Sequence, residues 1–288
     1  MSKPLDYIPR IRDYYQKLGY GTPYEWAHFE DVPFCSPSKP LLEMRIGIVT
    51  TAALFQAGKG DQGPGAPYNG TAKFFEVYAV PVSPSPDLRI SHIAYDRTHT
   101  TAKDPRTYNP LEALQKLGVT LSPRIYGLPT DRSVRKTRDI YCEDLLSLMR
   151  MDQVDAALLV PNCPVCHQST ALAARHFEAN GIPTVIMGCA KDIIERVGVP
   201  RLLASNFPLG NGAGQPFNET SQLDTTRQAL DLLHSATAPR TTRISPQIWA
   251  GAPDWQQDYS NADLLSREEI AQKRAEFDRV KREAKAQR

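Results

Sequence analysis

The chain reads as a doubly wound α/β protein, a mostly parallel sheet with helices on both faces. Three observations predict it. Short apolar runs of strand length at residues 156–160, 183–187 and 201–204 alternate with helical patterns at 141–151, 169–180 and 191–197, joined by connections of a few residues. That alternation is the mark of a parallel sheet with right-handed crossovers. A further β-branched apolar run at 44–53 reads as a buried strand.

Taken in order, residues 58–70 hold five glycines and two prolines, which marks a loop that is either a lid or a connector. Residues 89–95 alternate apolar and polar like a strand and end in the polar cluster Asp96-Arg97-Thr98-His99. Asn109 caps a helix with Pro110 in its first turn and Gly118 past its end. A last amphipathic helix of the domain is expected at 220–235. Residues 239–263 read as irregular, with Trp249 and Trp255 needing burial, and Ser266 and Glu269 form a capping box that opens a highly charged helix. The division follows: an N-terminal arm at 1–43, an α/β catalytic domain at 44–238, and an irregular segment with a charged C-terminal helix, a peripheral or subunit-contacting arm, at 239–288.

A chain of 288 residues can bury a core without disulfide staples. Its net charge of +2 lacks the basic excess that neutralises phosphates, so nucleic acid is not an expected partner. No run reaches the roughly 18 apolar residues that a membrane span requires, and the start of the chain has no apolar signal core. The expected location is the cytoplasm, with no membrane contact, and a homo-oligomer is the expected state. Five cysteines, an odd number, do not read as a secreted disulfide framework.

Two of them form the run Val160-Pro161-Asn162-Cys163-Pro164-Val165-Cys166-His167 at the end of a buried strand. Ligands of open parallel sheets bind there, beyond the carboxyl ends of the strands. The next helix is expected to begin near Gln168 or Ser169, and its N-terminus would favour a thiolate. The spacing lets the second thiol resolve an adduct or oxidised sulfur on the first. Buried cysteines can also be mere small hydrophobes. A third reading is zinc, with Cys163, Cys166 and either His99 or His167 as three ligands and an open fourth position.

At these residues the chain resembles the family of the selenoprotein B subunit of glycine, sarcosine and betaine reductases, with D-proline reductase as a more distant relative. The likeness rests on Arg12-Asp13-Tyr14-Tyr15-Gln16-Lys17-Leu18-Gly19-Tyr20, Pro23-Tyr24-Glu25-Trp26-Ala27, the run Val49-Thr50-Thr51-Ala52-Ala53, Tyr95-Asp96-Arg97-Thr98-His99, the cysteine run and Phe207-Pro208-Leu209-Gly210-Asn211. The resemblance implies that Cys163 stands at the selenocysteine position and Cys166 is its resolving thiol in reductive cleavage of a carbon–nitrogen bond.

His99 and His167 are the candidate acid–base groups beside Cys163 and Cys166. Asp96, Asn162, Gly210 and Asn211 are candidates for binding substrate, the last two because a glycine-rich loop can offer backbone N–H groups to an oxyanion. Cys35, Cys142 and Cys189 read as structural. The aromatic cluster Tyr14, Tyr15, Tyr20, Tyr24 and Trp26 reads as the anchor of the N-terminal arm. The expected function is a cysteine-dependent enzyme that cleaves a carbon–nitrogen or carbon–sulfur bond of a small carboxylate-bearing substrate, with no required cofactor and a thiol-reductant protein or second subunit as partner. The alternatives are release of hydrogen sulfide from a thiocarbonyl compound, with or without metal, and a non-catalytic zinc-binding subunit.

Overall fold

A computed structural model describes residues 3–90 and 92–286. Nine strands form in chain order: β1 (Arg45–Thr50), β2 (Ala53–Leu54), β3 (Tyr78–Pro81), β4 (Leu88–Arg89), β5 (Thr120–Gly127), β6 (Ala156–Val160), β7 (Thr184–Gly188), β8 (Arg201–Ala204) and β9 (Thr241–Ile244). Seven build one sheet in the order β3-β5-β1-β6-β7-β8-β9, parallel throughout except for the antiparallel edge strand β3. The expected strands β1, β6, β7 and β8 are adjacent in that sheet. Every residue of β6, β7 and β8 is buried, as strands covered on both faces must be.

The helices are α1 (Tyr7–Lys17), α2 (Leu111–Lys116), α3 (Val134–Lys136), α4 (Cys142–Met151), α5 (Pro164–Ala179), α6 (Lys191–Val197), α7 (Glu219–Ser235), α8 (Trp255–Asp258) and α9 (Arg267–Ala286). A π turn at Thr137–Tyr141 joins α3 to α4. One core layer sets Leu145, Leu172, Phe177 and Ile194, from α4, α5 and α6, against the sheet. The opposite layer uses Leu111 and Leu114 of α2 with Ala229 and Leu233 of α7. No helix among the described residues is long and apolar enough to cross a membrane.

Several expectations are corrected. The run 44–53 splits, because the chain leaves the sheet after Thr50 and Ala53–Leu54 pairs with Leu88–Arg89 in a separate antiparallel ribbon. The strand expected at 89–95 therefore shrinks to its first residue, Arg89, and Tyr95 packs against Gly210 instead of a neighbouring strand. Gly210 has φ +96° and leaves no room for a Cβ, which would lie 2.1 Å from the Tyr95 ring. Asn109 does not cap α2, which starts one residue later with Pro110 as its N-cap.

Strand β5 carries Pro123, which hides its pattern. The sheet tolerates the proline at a break in register, where Ile46 pairs with Leu121 and Ile48 with Ile125. Within the segment read as irregular, Thr241–Ile244 adds an edge strand parallel to β8, and Trp255 is buried by its short helix. The capping box of α9 forms as expected: the Ser266 N–H donates to Glu269 Oε2 at 2.8 Å and the Glu269 N–H to Ser266 Oγ at 3.2 Å.

The chain runs from β1 outward to β5 and then back across to β6, so the strand order reverses at β1. The crevice beyond the carboxyl ends at such a reversal is where open α/β sheets bind ligands. Thr50 and Val160, the last residues of β1 and β6, are paired, and the cysteine run leaves the sheet there.

Candidate active site

Helix α5 starts at Pro164, earlier than the expected Gln168 or Ser169, with proline at its first position. Cys163 is consequently the N-cap residue: its backbone is extended, and its sulfur accepts the N–H of Cys166 at 3.3 Å. One helical turn brings Cys166 back against it, with the two sulfurs 2.7 Å apart. Both thiols are free. They differ in access, since Cys163 keeps 4% of its surface exposed and borders a cavity, while Cys166 has none and lies behind it.

The third group at the pair is His92, which the sequence reading passed over. His92, Cys163 and Cys166 offer ligand atoms that all lie within 4.8 Å of one another, and all three residues are buried. Thr130, from the turn after β5, bridges them: its hydroxyl lies 3.1 Å from Cys166 Sγ and 3.2 Å from His92 Nε2. His92 was hidden in a stretch resembling a strand, and Thr130 behind a strand masked by Pro123. A Thr-Asp turn after the apolar Ile125-Tyr126 pair was the one signal for the latter.

Burial alone would push the Cys166 thiol up. The hydrogen bond with Cys163, the charge and hydrogen bond of His92, and the Thr130 hydroxyl outweigh it and hold Cys166 well below the ordinary thiol range. Burial, with the neighbouring Cys166 sulfur, pushes Cys163 up. These contacts thus favour the charge on the inner sulfur of the pair and the proton on the outer one.

The remaining expected residues separate into two groups. Asp96 borders the cavity, and its carboxylate is taken up by His99, whose Nδ1 lies 2.9 Å away. His99 Nε2 approaches Asp258 at 3.6 Å. The histidine at the sulfurs is therefore His92, and a zinc set built from Cys163, Cys166 and His99 is corrected to one built on His92. His167 is spent on structure: Nδ1 donates to the Cys163 carbonyl at 2.7 Å and Nε2 accepts the Cys189 N–H at 3.0 Å. It positions Cys163 and has no lone pair left for acid–base work. Asn162 donates through both its backbone and side-chain N–H to Thr51 Oγ1. Asn211 is buried and donates to the Pro208 carbonyl at 2.9 Å. Asn162, Gly210 and Asn211 do not border the cavity.

Burial drives the His167 pKa down to about 4. Its ordinary value is near 6.5, so the unfolded chain binds the proton first as pH falls. The stability that neutral His167 contributes is present above pH 6.5 and is lost as pH falls from 6.5 to 4. The expected loss over that window is on the order of 3 kcal/mol. Urea unfolding at several pH values, compared with His167→Gln, is expected to show the wild-type slope and its removal in the variant.

The cavity encloses about 510 Å³. Tyr14, Tyr15, Tyr24 and Trp26 form part of its wall, so the aromatic cluster lines a pocket as well as fastening the arm. Gln168 of α5 makes the attachment: its Nε2 donates to Tyr24 Oη at 2.7 Å and its Oε1 accepts the Ala27 N–H at 2.8 Å. The charged helix α9 closes another side with Lys273, Phe277 and Val280, and Tyr20 packs against Phe277. Tyr68 of the glycine-rich segment also borders the space. Arg97 and Arg132 add positive charge.

No protein-family model matches the chain, and no solved structure matches it. Over 192 residues, 64% of this chain and 76% of the relative, it is 27% identical to D-proline reductase subunit gamma of Acetoanaerobium sticklandii. The chain is thus distantly similar to a subunit of a reductase.

Proposed function

We propose that the protein is a thiol-dependent reductase subunit that cleaves the carbon–nitrogen bond of a small carboxylate-bearing substrate. The supporting observation is the arrangement of the two sulfurs, with Cys163 bordering the cavity and Cys166 2.7 Å behind it, where the Cys163 hydrogen bond, His92 and Thr130 favour its ionised form. The name of the distant relative points to an amino-acid derivative as substrate. Nothing observed favours release of sulfide from a thiocarbonyl compound.

In the first step Cys163 attacks the carbon that bears nitrogen while its proton passes to Cys166. A sulfur–carbon bond forms, the carbon–nitrogen bond breaks, and the amine leaves with its electron pair and a proton. Cys166, again a thiolate, then attacks the Cys163 sulfur. A disulfide forms, the sulfur–carbon bond breaks, and its electron pair takes a proton to give a carbon–hydrogen bond. The substrate gains two electrons and the cysteine pair loses them, so a dithiol protein or a second subunit must reduce the disulfide between turnovers. His92 and Thr130 favour Cys166 as the anionic member at both stages.

A second reading rests on the three convergent ligand groups: His92, Cys163 and Cys166 would hold zinc, with the sulfurs moving apart to the tetrahedral spacing. The experiment measures the rate of iodoacetamide labelling against pH together with zinc content. The expected result is one label per chain, on Cys163, with the rate falling only below the usual thiol midpoint near about 8.5, and less than stoichiometric zinc. Stoichiometric zinc with thiols that resist labelling would establish the second reading instead.

A further inference from the structure

We propose that Arg97 binds the carboxylate of the substrate and thereby aims the adjacent carbon at Cys163. The proposal rests on Cys163 being the nucleophile. Arg97 sits on the loop between the two-stranded ribbon and α2, and two backbone carbonyls fix its guanidinium. Nε donates to the Ala66 oxygen at 2.7 Å and Nη1 to the His92 oxygen at 2.7 Å. The group lies 5.5 Å from the centre of the Tyr95 ring.

Nη2 is buried and has no hydrogen-bond partner among the described residues. Leaving a charged donor in that state is costly, and folded proteins do so rarely. A planar guanidinium with an unspent N–H edge suits a carboxylate, which accepts two charge-assisted bonds. Its position suits the chemistry as well. Arg97 borders the cavity that Cys163 borders, and through the His92 carbonyl it is tied to the histidine at the sulfur pair. Two of the other charged groups on that wall are already engaged. Arg132 stacks on Tyr24 with its guanidinium carbon 4.7 Å from the ring centre, and the Asp96 carboxylate is held by His99. Burial weakens the hold of Arg97 on its proton, and a bound carboxylate would reverse that.

Iodoacetate and iodoacetamide test this, because both alkylate thiols and only iodoacetate carries a carboxylate one carbon from the reacting centre. The site of labelling is read by peptide mass spectrometry in the wild type, Arg97→Gln and Arg97→Lys. In the wild type, iodoacetate is expected to label Cys163 faster than iodoacetamide and to saturate with concentration. Arg97→Gln is expected to slow iodoacetate by about tenfold or more, roughly 1.4 kcal/mol, while iodoacetamide changes by less than about twofold. Arg97→Lys, which keeps the charge and loses the fork, should fall between them.

Equal sensitivity of both reagents to Arg97→Gln, or none, overturns the proposal. So does an anion that binds only in the smaller cavity of about 190 Å³ that Arg97 also borders, since it would not speed labelling of Cys163. If neither reagent labels Cys163, the fault lies with the nucleophile. The anchor is then decided by melting temperature in acetate, pyruvate and proline. A rise in the wild type that is absent from Arg97→Gln upholds the anchor, and an equal rise or no rise in both overturns it.

Discussion

Cys163→Ala is expected to abolish turnover and every covalent adduct, whereas Cys166→Ala should still capture substrate on Cys163 and then stop. The difference follows from position. Cys163 borders the cavity and Cys166 does not, so only the outer sulfur can meet a carbon held there. Without Cys166, however, the Cys163 proton loses its acceptor and burial still raises the thiol. The adduct on Cys163 should therefore form more slowly than in the wild type, and faster as pH rises. It should then persist, because no thiolate remains to break the sulfur–carbon bond. Intact-protein mass spectrometry of each variant with substrate, at two pH values, reads both effects. If both sulfurs instead hold zinc, the two variants should lose metal and activity about equally. An active Cys163→Ala enzyme would end the cysteine mechanism.

The largest expected loss of stability lies away from the cavity, at Glu178 and Arg201. Both side chains are fully buried, and Glu178 Oε1 meets Arg201 Nη1 at 2.7 Å. Glu178 also accepts the Cys35 N–H at 2.6 Å and the Thr184 hydroxyl at 3.0 Å, and Arg201 donates to the Cys35 carbonyl at 2.8 Å. The pair thus ties the end of α5, the start of β7, strand β8 and the N-terminal arm together. Burial opposes both charges, raising the Glu178 pKa and lowering that of Arg201, so each ion depends on the other. Glu178→Ala strands a buried guanidinium and is expected to cost about 3–5 kcal/mol. The double change Glu178→Leu with Arg201→Met removes both charges and should recover much of that loss. Urea unfolding of the three proteins checks it, and a mild effect of Glu178→Ala would mean that water reaches the pair.

The sheet and the position of the cysteine run at its edge were legible in the sequence alone. Strand-length apolar runs separated by short helices leave few ways to bury both faces, so β1, β6, β7 and β8 and the helices between them were legible. Cys163 and Cys166 were legible for the same reason, because the run that holds them follows a fully buried strand. The missed elements had ordinary causes. Pro123 obscured β5, two edge strands are short, and Cys163 with Pro164 looked like a loop because a cysteine is an uncommon N-cap.

Which groups meet the sulfurs is set by folding over long range. His92 and His99 stand seven positions apart, the first in an alternating run and the second in the polar cluster that follows it; the short β2–β4 ribbon and the close packing of Tyr95 on Gly210 carry the first to the cysteines and leave the second with Asp96. Thr130 and the pocket walls from α1 and α9 come from distant parts of the chain. Periodicity reports which face of an element is buried, a property of near neighbours. Convergence of side chains on one point depends on where long connections return, and local pattern carries no record of that.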